Sequence, residues 1–331
     1  MRAVVFDHFG SPDVLEWRQV SDPQLLEGQA LVSIKAAGLN YADVYRRQGN
    51  YHMEATPPWI LGYEGAGVIV ELLGHSDTFK VGDRVAFADS PRANAELVAV
   101  ALDKLVKLPD DIPYEIAAAI MLQGLTAQYL IQDSYVAKEG DIALVHAAAG
   151  GVGILITQML VARGVTVVGL TSNPQKAAVV KALGARLVLS NDEDWAQQIL
   201  SHFGRGADVV YESTGSTLLK SMEALRTGGR VVFFGFAGGE PPPINPRALM
   251  DRSLTITGGD LWNVLTGPEE RRCRTDDLFM LYRKGIIVPT IAAEVPMSQA
   301  AHAHTLIERR GTVGKILLIP TPEPVRIGVS S

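Results

Sequence analysis

Four residues, Gly150-Gly151-Val152-Gly153, stand where a short apolar run, Ile142 to Val145, gives way to an apolar helical stretch from Ile154 to about Ala162. A strand, a tight glycine turn and a helix in that order make a place for a pyrophosphate. The helix N-terminus presents N–H groups with no intrahelical partner, and glycine has no Cβ to hold a phosphate away. Read strictly, the spacing is Ala148-x-Gly150-x-x-Gly153, with alanine where the dinucleotide fingerprint has its first glycine. A second apolar run, Val165 to Leu170, leads into Thr171-Ser172-Asn173. An acid at that point would bind a ribose 2′-hydroxyl, and this chain has none there. Instead the Ser172 hydroxyl and, one turn into the next helix, Lys176 suit a 2′-phosphate, which a carboxylate would repel. Asn173 as helix cap and Pro174 as first helical residue fit the same turn. The cofactor implied is NADPH rather than NADH.

Residues that could hold a metal do not gather. The single cysteine, Cys273, excludes an internal disulfide and a cysteine-rich zinc lobe. His302 and His304 are two apart on an expected helix and so face different ways. His146 ends the first strand of the glycine motif and reads as a packed structural residue. The net charge of −6 gives no general attraction for nucleic acid or an anionic membrane. No run reaches the roughly 18 apolar residues of a membrane span. The N-terminus, Met1 to Phe6, enters a strand and lacks the shape of a signal peptide. The expectation is a cytoplasmic protein without nucleic-acid or membrane partners.

The elements that must position these groups fall into two patterns along 331 residues, 47% of them apolar. Up to residue 122 short apolar runs recur at Arg2–Phe6, Ala30–Ala36, Gly67–Leu73, Arg84–Ala88 and Glu96–Ala99. They are separated by Gly, Asp and Pro, as in a small β barrel. From about Tyr114 the pattern turns helical, and strands are expected near 142–146, 165–170, 186–189, 208–212, 230–235 and 254–258, with helices between the first five. Six such strands predict an α/β fold with a doubly wound, six-stranded parallel Rossmann sheet over 123–261. Beyond residue 262 a helix at 276–284, a strand at 287–292, a helix capped by Ser298 and a strand at 315–319 are expected to complete the β-rich domain of residues 1–122. Residues 320–331 carry three prolines and read as a mobile tail.

Several motifs in order carry a resemblance. Gly38-Leu39-Asn40-Tyr41-Ala42-Asp43, Gly62-Tyr63-Glu64-Gly65-Ala66-Gly67, Val81-Gly82-Asp83-Arg84-Val85, Gly124-Leu125-Thr126-Ala127, His146 to Gly153 and Gly314-Lys315 lie between Arg2 and Pro320. Together they resemble the medium-chain dehydrogenase/reductases of the zinc-free quinone oxidoreductase branch, the family that includes zeta-crystallin. The resemblance implies a GroES-like catalytic domain over 1–122 and 262–331, an interdomain cleft, and a homodimer made through the edge strand Leu254–Thr257 of the Rossmann sheet. Where the family's zinc alcohol dehydrogenases carry a ligating cysteine, this chain has Asn40, and where they carry Gly-His-Glu it has Gly62-Tyr63-Glu64. Glu64 alone cannot hold zinc.

The same resemblance assigns roles. Asn40 matches the position beside the nicotinamide, and Tyr45 and Tyr51 match aromatic positions of the substrate cleft, where a phenol can stack on a flat acceptor and donate to its carbonyl. Thr126, Phe236, Leu261 and Lys315 match positions along the nicotinamide and phosphate rim, beside the pyrophosphate turn of Gly150, Gly151 and Val152 and the 2′-phosphate pair Ser172 and Lys176. Ser190 stands where relatives often place tyrosine against the adenosine, and Gln123 where they often have lysine. Asp43 reads as an internal partner for Arg47. Without a Lewis acid, alcohol oxidation lacks its usual alkoxide stabiliser, whereas an electron-poor acceptor spreads the incoming charge itself. Three activities fit: NADPH-dependent reduction of a small quinone, reduction of an enone, enal or enoyl thioester, and non-enzymatic NADPH binding. The first is the expectation. A thioester carrying CoA would need a basic groove, for which the only local support is Arg46-Arg47.

Overall fold

The computed structural model describes residues 1–53 and 56–320. The chain divides into two compact units, Met1–Leu122 with Ile291–Ser331, and Gln123–Thr290. The expected tail beyond Pro320 lies outside the described residues.

The first unit opens with β1 (Arg2–Phe6), β2 (Glu16–Gln19) and the long β3 (Gln29–Leu39), then α1 (Tyr41–Arg47). β4 (Trp59–Ile60), β5 (Glu64–Leu73), β6 (Arg84–Ala88), β7 (Leu97–Ala101) and β8 (Leu105–Lys107) follow, and α2 (Tyr114–Tyr129) carries the chain into the second unit. There β9 (Ile142–Val145), α3 (Gly151–Ala162), β10 (Thr166–Thr171), α4 (Pro174–Ala182) and β11 (Leu187–Ser190) make the first half of a sheet. α5 (Trp195–Phe203), β12 (Ala207–Glu212), α6 (Leu218–Glu223), β13 (Leu225–Phe233), α7 (Pro246–Arg252) and β14 (Thr255–Gly258) make the second half, and α8 (Pro268–Arg283) ends the unit. β15 (Ile291–Pro296), α9 (Ala300–Glu308) and β16 (Lys315–Ile319) return to the first unit.

In the second unit the strand order is β11-β10-β9-β12-β13-β14, every pair parallel. This is the doubly wound six-stranded sheet that the alternation of runs predicts. β9 is buried at all its positions, as a central parallel strand covered on both faces must be. The strand order reverses between β9 and β12, and ligands of such sheets bind in the crevice beyond the carboxyl ends at that reversal. α3 buries Ile154, Leu155, Ile156, Met159 and Leu160, which explains why its sequence is apolar nearly all round. The core of the unit runs from Ile142 and Leu144 through Val168 and Val210 to Val231, with Trp195 and Ile199 of α5 closing one side. α5 is bounded by the Asp194 side chain, which accepts the Gln197 N–H, and by Gly204 at φ 74.

In the first unit the sheet order is β15-β16-β3-β5-β6-β8, with β7 also on β3, and β2-β1-β4 forms a second sheet. β3 is long enough to pair with three neighbours because irregularities between Leu31 and Val32 and between Ile34 and Ala36 bend it. Its core is built on Val32, Ile34, Ile69, Phe87 and Val98, closed from the returning segment by Ile316 and Leu318.

The structure differs from the sequence pattern in five places. The chain returns to the first unit at Ile291 and not at residue 262, because α8 packs within the second unit, its Leu278 seated on Gly124. α8 starts at Pro268, eight residues before the expected helix, and β15 occupies 291–296 where 287–292 is expected. Ile286-Ile287-Val288 is the apolar run that misleads there, and Ile287 is buried without being a strand residue. Ser298 lies in a 3-10 turn over Met297–Gln299 and does not cap α9. α7 stands between β13 and β14, where no helix is expected.

Candidate active site

The second unit supplies a dinucleotide turn. Ala147 takes φ 46, which reverses the chain after β9, and its carbonyl accepts the Gly150 N–H at 2.7 Å. Gly150 stands at the N-cap of α3 in extended conformation, and among the described residues no side chain caps that helix. The N–H groups of Gly151, Val152 and Gly153 are the helix's first and have no place in its ladder. Gly153 is needed for packing, since a Cβ on it would stand 2.3 Å from the Ala147 carbonyl oxygen. A Cβ on Gly151 would meet the Gln123 carboxamide at 1.9 Å. The half-buried turn, open N–H groups and a cradle that a Cβ would fill are what a bound pyrophosphate requires.

At the next strand end, Ser172 is exposed and Lys176 half-buried. Asn173 Oδ1 accepts the Lys176 N–H at 2.9 Å with Pro174 as first helical residue, the expected cap. The Lys176 backbone N–H is thereby used, and the groups at this strand end that could meet a 2′-phosphate are its ammonium and the Ser172 hydroxyl. Ser190 is half-buried; its N–H donates to Glu193 at 3.1 Å and its carbonyl accepts from the Trp195 indole at 3.0 Å. Phe236 is half-buried, Thr126 is buried, and Leu261 is buried in a 3-10 turn capped by Asp260.

A polar cluster that sequence reasoning undervalues lies at the β9–β12 reversal. Glu212, fully buried, accepts the N–H groups of Thr214 (2.7 Å) and Gly215 (3.1 Å), the Thr217 hydroxyl and the Ser221 hydroxyl. His146 lies 3.2 Å from Glu212, 2.9 Å from Ser221 Oγ and 3.2 Å from Thr214 Oγ1. Burial pushes its imidazole down to about 4, against the pull of Glu212. His146 is therefore a neutral, bonded residue that ties both sides of the reversal together.

In the first unit Asn40, Glu64 and Lys315 form one buried group. Lys315 Nζ donates to Glu64 Oε2 at 2.6 Å and to Asn40 Oδ1 at 2.8 Å. Asn40 Nδ2 donates to Glu64 Oε2 at 2.9 Å and to the Gly38 carbonyl at 3.2 Å. Glu64 Oε1 takes the Leu122 N–H at 2.6 Å. Gly38 leaves the space, because a Cβ there would stand 2.2 Å from Glu64 Oε2. Asn40 is only 4% exposed and its carboxamide is spent inward, and Lys315 is just as deeply buried. Burial pushes the Lys315 ammonium below the ordinary lysine value, with Glu64 opposing. The resemblance places Asn40 and Lys315 along a cofactor or substrate surface; in the structure both side chains also bond Glu64.

This group does not fit zinc. The one carboxylate left from the alcohol dehydrogenase pattern already accepts an ammonium, an amide and a backbone N–H, and no set of three His, Cys, Asp or Glu side chains gathers among the described residues.

Around it stand the aromatic residues. Tyr41 and Tyr45 meet edge to face at 5.2 Å, and Tyr45 lies 6.3 Å from Tyr51. A small surface recess is lined by Met53, Thr56, Trp59, Ile60, Tyr63 and Arg92, with Pro58 and Pro91. Tyr45 and Tyr51 do not line that recess; Tyr63, which the Gly62-Tyr63-Glu64 motif flags only as a replaced histidine, does. Asp43 accepts the Asn40 N–H at 2.9 Å and pairs with Arg46, not with Arg47 as expected. Arg47 turns to Glu308 at 2.6 Å, His304 and the Gly10 carbonyl. Both arginines are buried, so neither offers a basic groove to a CoA phosphate. No helix among the described residues is long and apolar enough to cross a membrane.

Comparison with known proteins agrees with this arrangement. Residues 26–138 match the model of the alcohol dehydrogenase GroES-like domain, and residues 151–271 that of the zinc-binding dehydrogenase family. A quinone oxidoreductase of Pseudomonas aeruginosa is 37% identical over 96% of this chain and 99% of its own. A 2-haloacrylate reductase of a Burkholderia species is 34% identical over 96% of this chain and 98% of its own. The crystal structure of Escherichia coli quinone oxidoreductase complexed with NADPH superposes with a TM-score of 0.93 at 33% identity, covering 97% of this chain and 100% of that one.

Proposed function

The chain belongs to the medium-chain dehydrogenase/reductase family, in its quinone oxidoreductase branch, and from that premise we propose that it is a zinc-independent NADPH:quinone oxidoreductase acting on a small quinone. The observation that carries this is the uncapped glycine turn of α3 at the β9–β12 reversal, followed at the next strand end by a hydroxyl and a lysine in place of an acid. Gly150, Gly151 and Val152 hold the pyrophosphate; Ser172 and Lys176 hold the 2′-phosphate. Ser190 borders the adenosine, and Thr126, Phe236 and Leu261 border the nicotinamide. Bound NADPH supplies a hydride or single electrons. Tyr45 and Tyr51 stack on the acceptor and donate a hydrogen bond to its oxygen. Asn40 acts from inside, through Glu64 and Lys315, to hold the start of α1 beneath them.

The similarity to a 2-haloacrylate reductase supports a second reading, reduction of an activated alkene, in which Tyr51 serves as proton donor. Steady-state oxidation of NADPH under chelator, with 1,4-benzoquinone and a small enone in parallel, separates the two. Turnover with quinone supports the first reading, and turnover with the enone alone replaces it with the second. Silence from both, with NADPH bound, refutes both. We further infer a cytoplasmic homodimer made through β14, which is the outer strand of its sheet with exposed ends. Light scattering that reads a monomer mass at micromolar protein would refute the dimer.

A further inference from the structure

The first unit buries a positive charge that the roles above leave unused. Arg46 is 3% exposed, and its guanidinium carbon lies 3.6 Å from the centre of the Tyr63 ring and 5.0 Å from that of Tyr51. Its Nε donates to the His52 carbonyl at 3.2 Å. Among the described residues its ion-pair partner is Asp43, whose Oδ1 is 3.8 Å away, an ion pair without a hydrogen bond. Burial raises the Asp43 carboxyl from its ordinary value, and the Arg46 charge opposes that rise. The guanidinium is thus desolvated and faces two phenol rings, with the carboxylate of its ion-pair partner Asp43 at 3.8 Å. Such contacts are strongest where water is excluded.

Two features make this more than packing. Tyr63 lines the recess and Tyr51 is the phenol assigned to the acceptor, so one side chain fixes both. A guanidinium also stacks flat on a ring, as an ammonium cannot. Resting on the quinone oxidoreductase reading, we propose that Arg46 is a positioning residue for acceptor reduction: held between Tyr51 and Tyr63, it sets the planes of both phenols and supplies the fixed positive charge that favours negative charge growing on the acceptor oxygen. The acceptors preferred are those whose oxygen gains charge in a flat, conjugated frame.

Arg46→Met keeps the stem and removes the charge. NADPH affinity, read by quenching of protein fluorescence, is expected to stay within about twofold. kcat/KM for 1,4-benzoquinone is expected to fall about tenfold, the scale of one desolvated cation–ring contact. The ultraviolet titration of Tyr51, isolated as the difference from the matching Tyr51→Phe protein, is expected to move to higher pH once the cation is gone. Among the described residues Tyr45 and His52, whose rings lie 6.3 Å and 4.9 Å from that of Tyr51, are retained. Arg46→Lys keeps a charge without the planar fork, so it should hold the titration in place while kcat/KM drops severalfold.

A folded Arg46→Met protein with an unmoved Tyr51 titration overturns the proposal, whatever its rate, since packing alone would then explain the residue. Should Arg46→Met fail to fold, an Arg46→Lys protein with unchanged kcat/KM overturns it instead. The titration needs no acceptor. If the native chain reduces neither quinone nor enone, the functional reading fails, while the charge contact between Arg46 and Tyr51 is still tested.

Discussion

Replacing Lys315 with methionine keeps an aliphatic stem of similar reach and removes only the ammonium. Glu64, with 0% of its side chain exposed, then loses the 2.6 Å partner on Oε2. It keeps the Asn40 amide at 2.9 Å and the Leu122 N–H at 2.6 Å. Removing one side of a buried ion pair typically costs roughly 3–5 kcal/mol, because the surviving charge is stranded in low dielectric. The two remaining donors put the expectation near the lower end, about 3 kcal/mol. For a unit of this size that corresponds to a fall of roughly 6–12 °C in melting temperature. Adding Glu64→Gln removes the stranded charge, and the double variant should recover at least half of the loss. Urea unfolding of the native chain, both single variants and the double variant closes the cycle. A Lys315→Met protein that loses less than about 1 kcal/mol, the range of an exposed pair, would refute the buried-pair account. So would a double variant whose loss is the plain sum of the singles.

Other outcomes follow from the same geometry. Gly153→Ala drives a Cβ against the Ala147 backbone, which has no rotamer to yield, so it should cost about 3 kcal/mol and lower the melting temperature. Gly150→Ala, whose nearest atom would be 3.1 Å away, should melt within a few degrees of the native chain but bind NADPH about tenfold more weakly by fluorescence titration. Equal effects from both would refute the division of labour. His146 and His304 are held by burial at about 4 and about 3, below the ordinary histidine value. Their folded values are depressed, so from pH 6.5 downward the unfolded chain takes up protons that the folded one refuses. Stability should therefore fall with falling pH, by about 3 kcal/mol between pH 6.5 and 5 for the two together. Urea midpoints that stay flat over that window would refute it. Lys176→Ala should raise the Kd for NADPH about tenfold while changing that for NADH less than twofold. A parallel loss for both cofactors would remove Lys176 from the 2′-phosphate.

What was legible in the chain was what its chemistry makes local. A continuous apolar run cannot end in Gly-Gly-Val-Gly and resume as an apolar helix without producing a buried strand, a tight turn and a covered helix, so β9, the turn and α3 could be read in place. Asn173-Pro174 announces a helix start in the same way. Pairings across long separations were not legible. Glu64 and Lys315 lie 251 residues apart, and nothing in either neighbourhood names the other. Arg46 and Arg47 read as surface charge because arginine is seldom buried, and only the surrounding Tyr51, Tyr63, His304 and Glu308 make their burial possible. The assignment of α8 to the second unit depends on Leu278 finding the one residue of α2, Gly124, that leaves room for it.

The sheet of the first unit has a strand from the far end of the chain set into its middle: β16 lies between β15 and β3. A ribosome delivers Asn40 and Glu64 early and Lys315 only after the whole second unit has emerged. At roughly 5–20 residues per second, that is a delay of about 10–50 s. Through that interval Glu64 lacks the Lys315 cation, and the Ala37–Leu39 end of β3 lacks its β16 neighbour. The strands of the second unit, contiguous in sequence, meet no such wait. The unit that is begun first is therefore the one completed last.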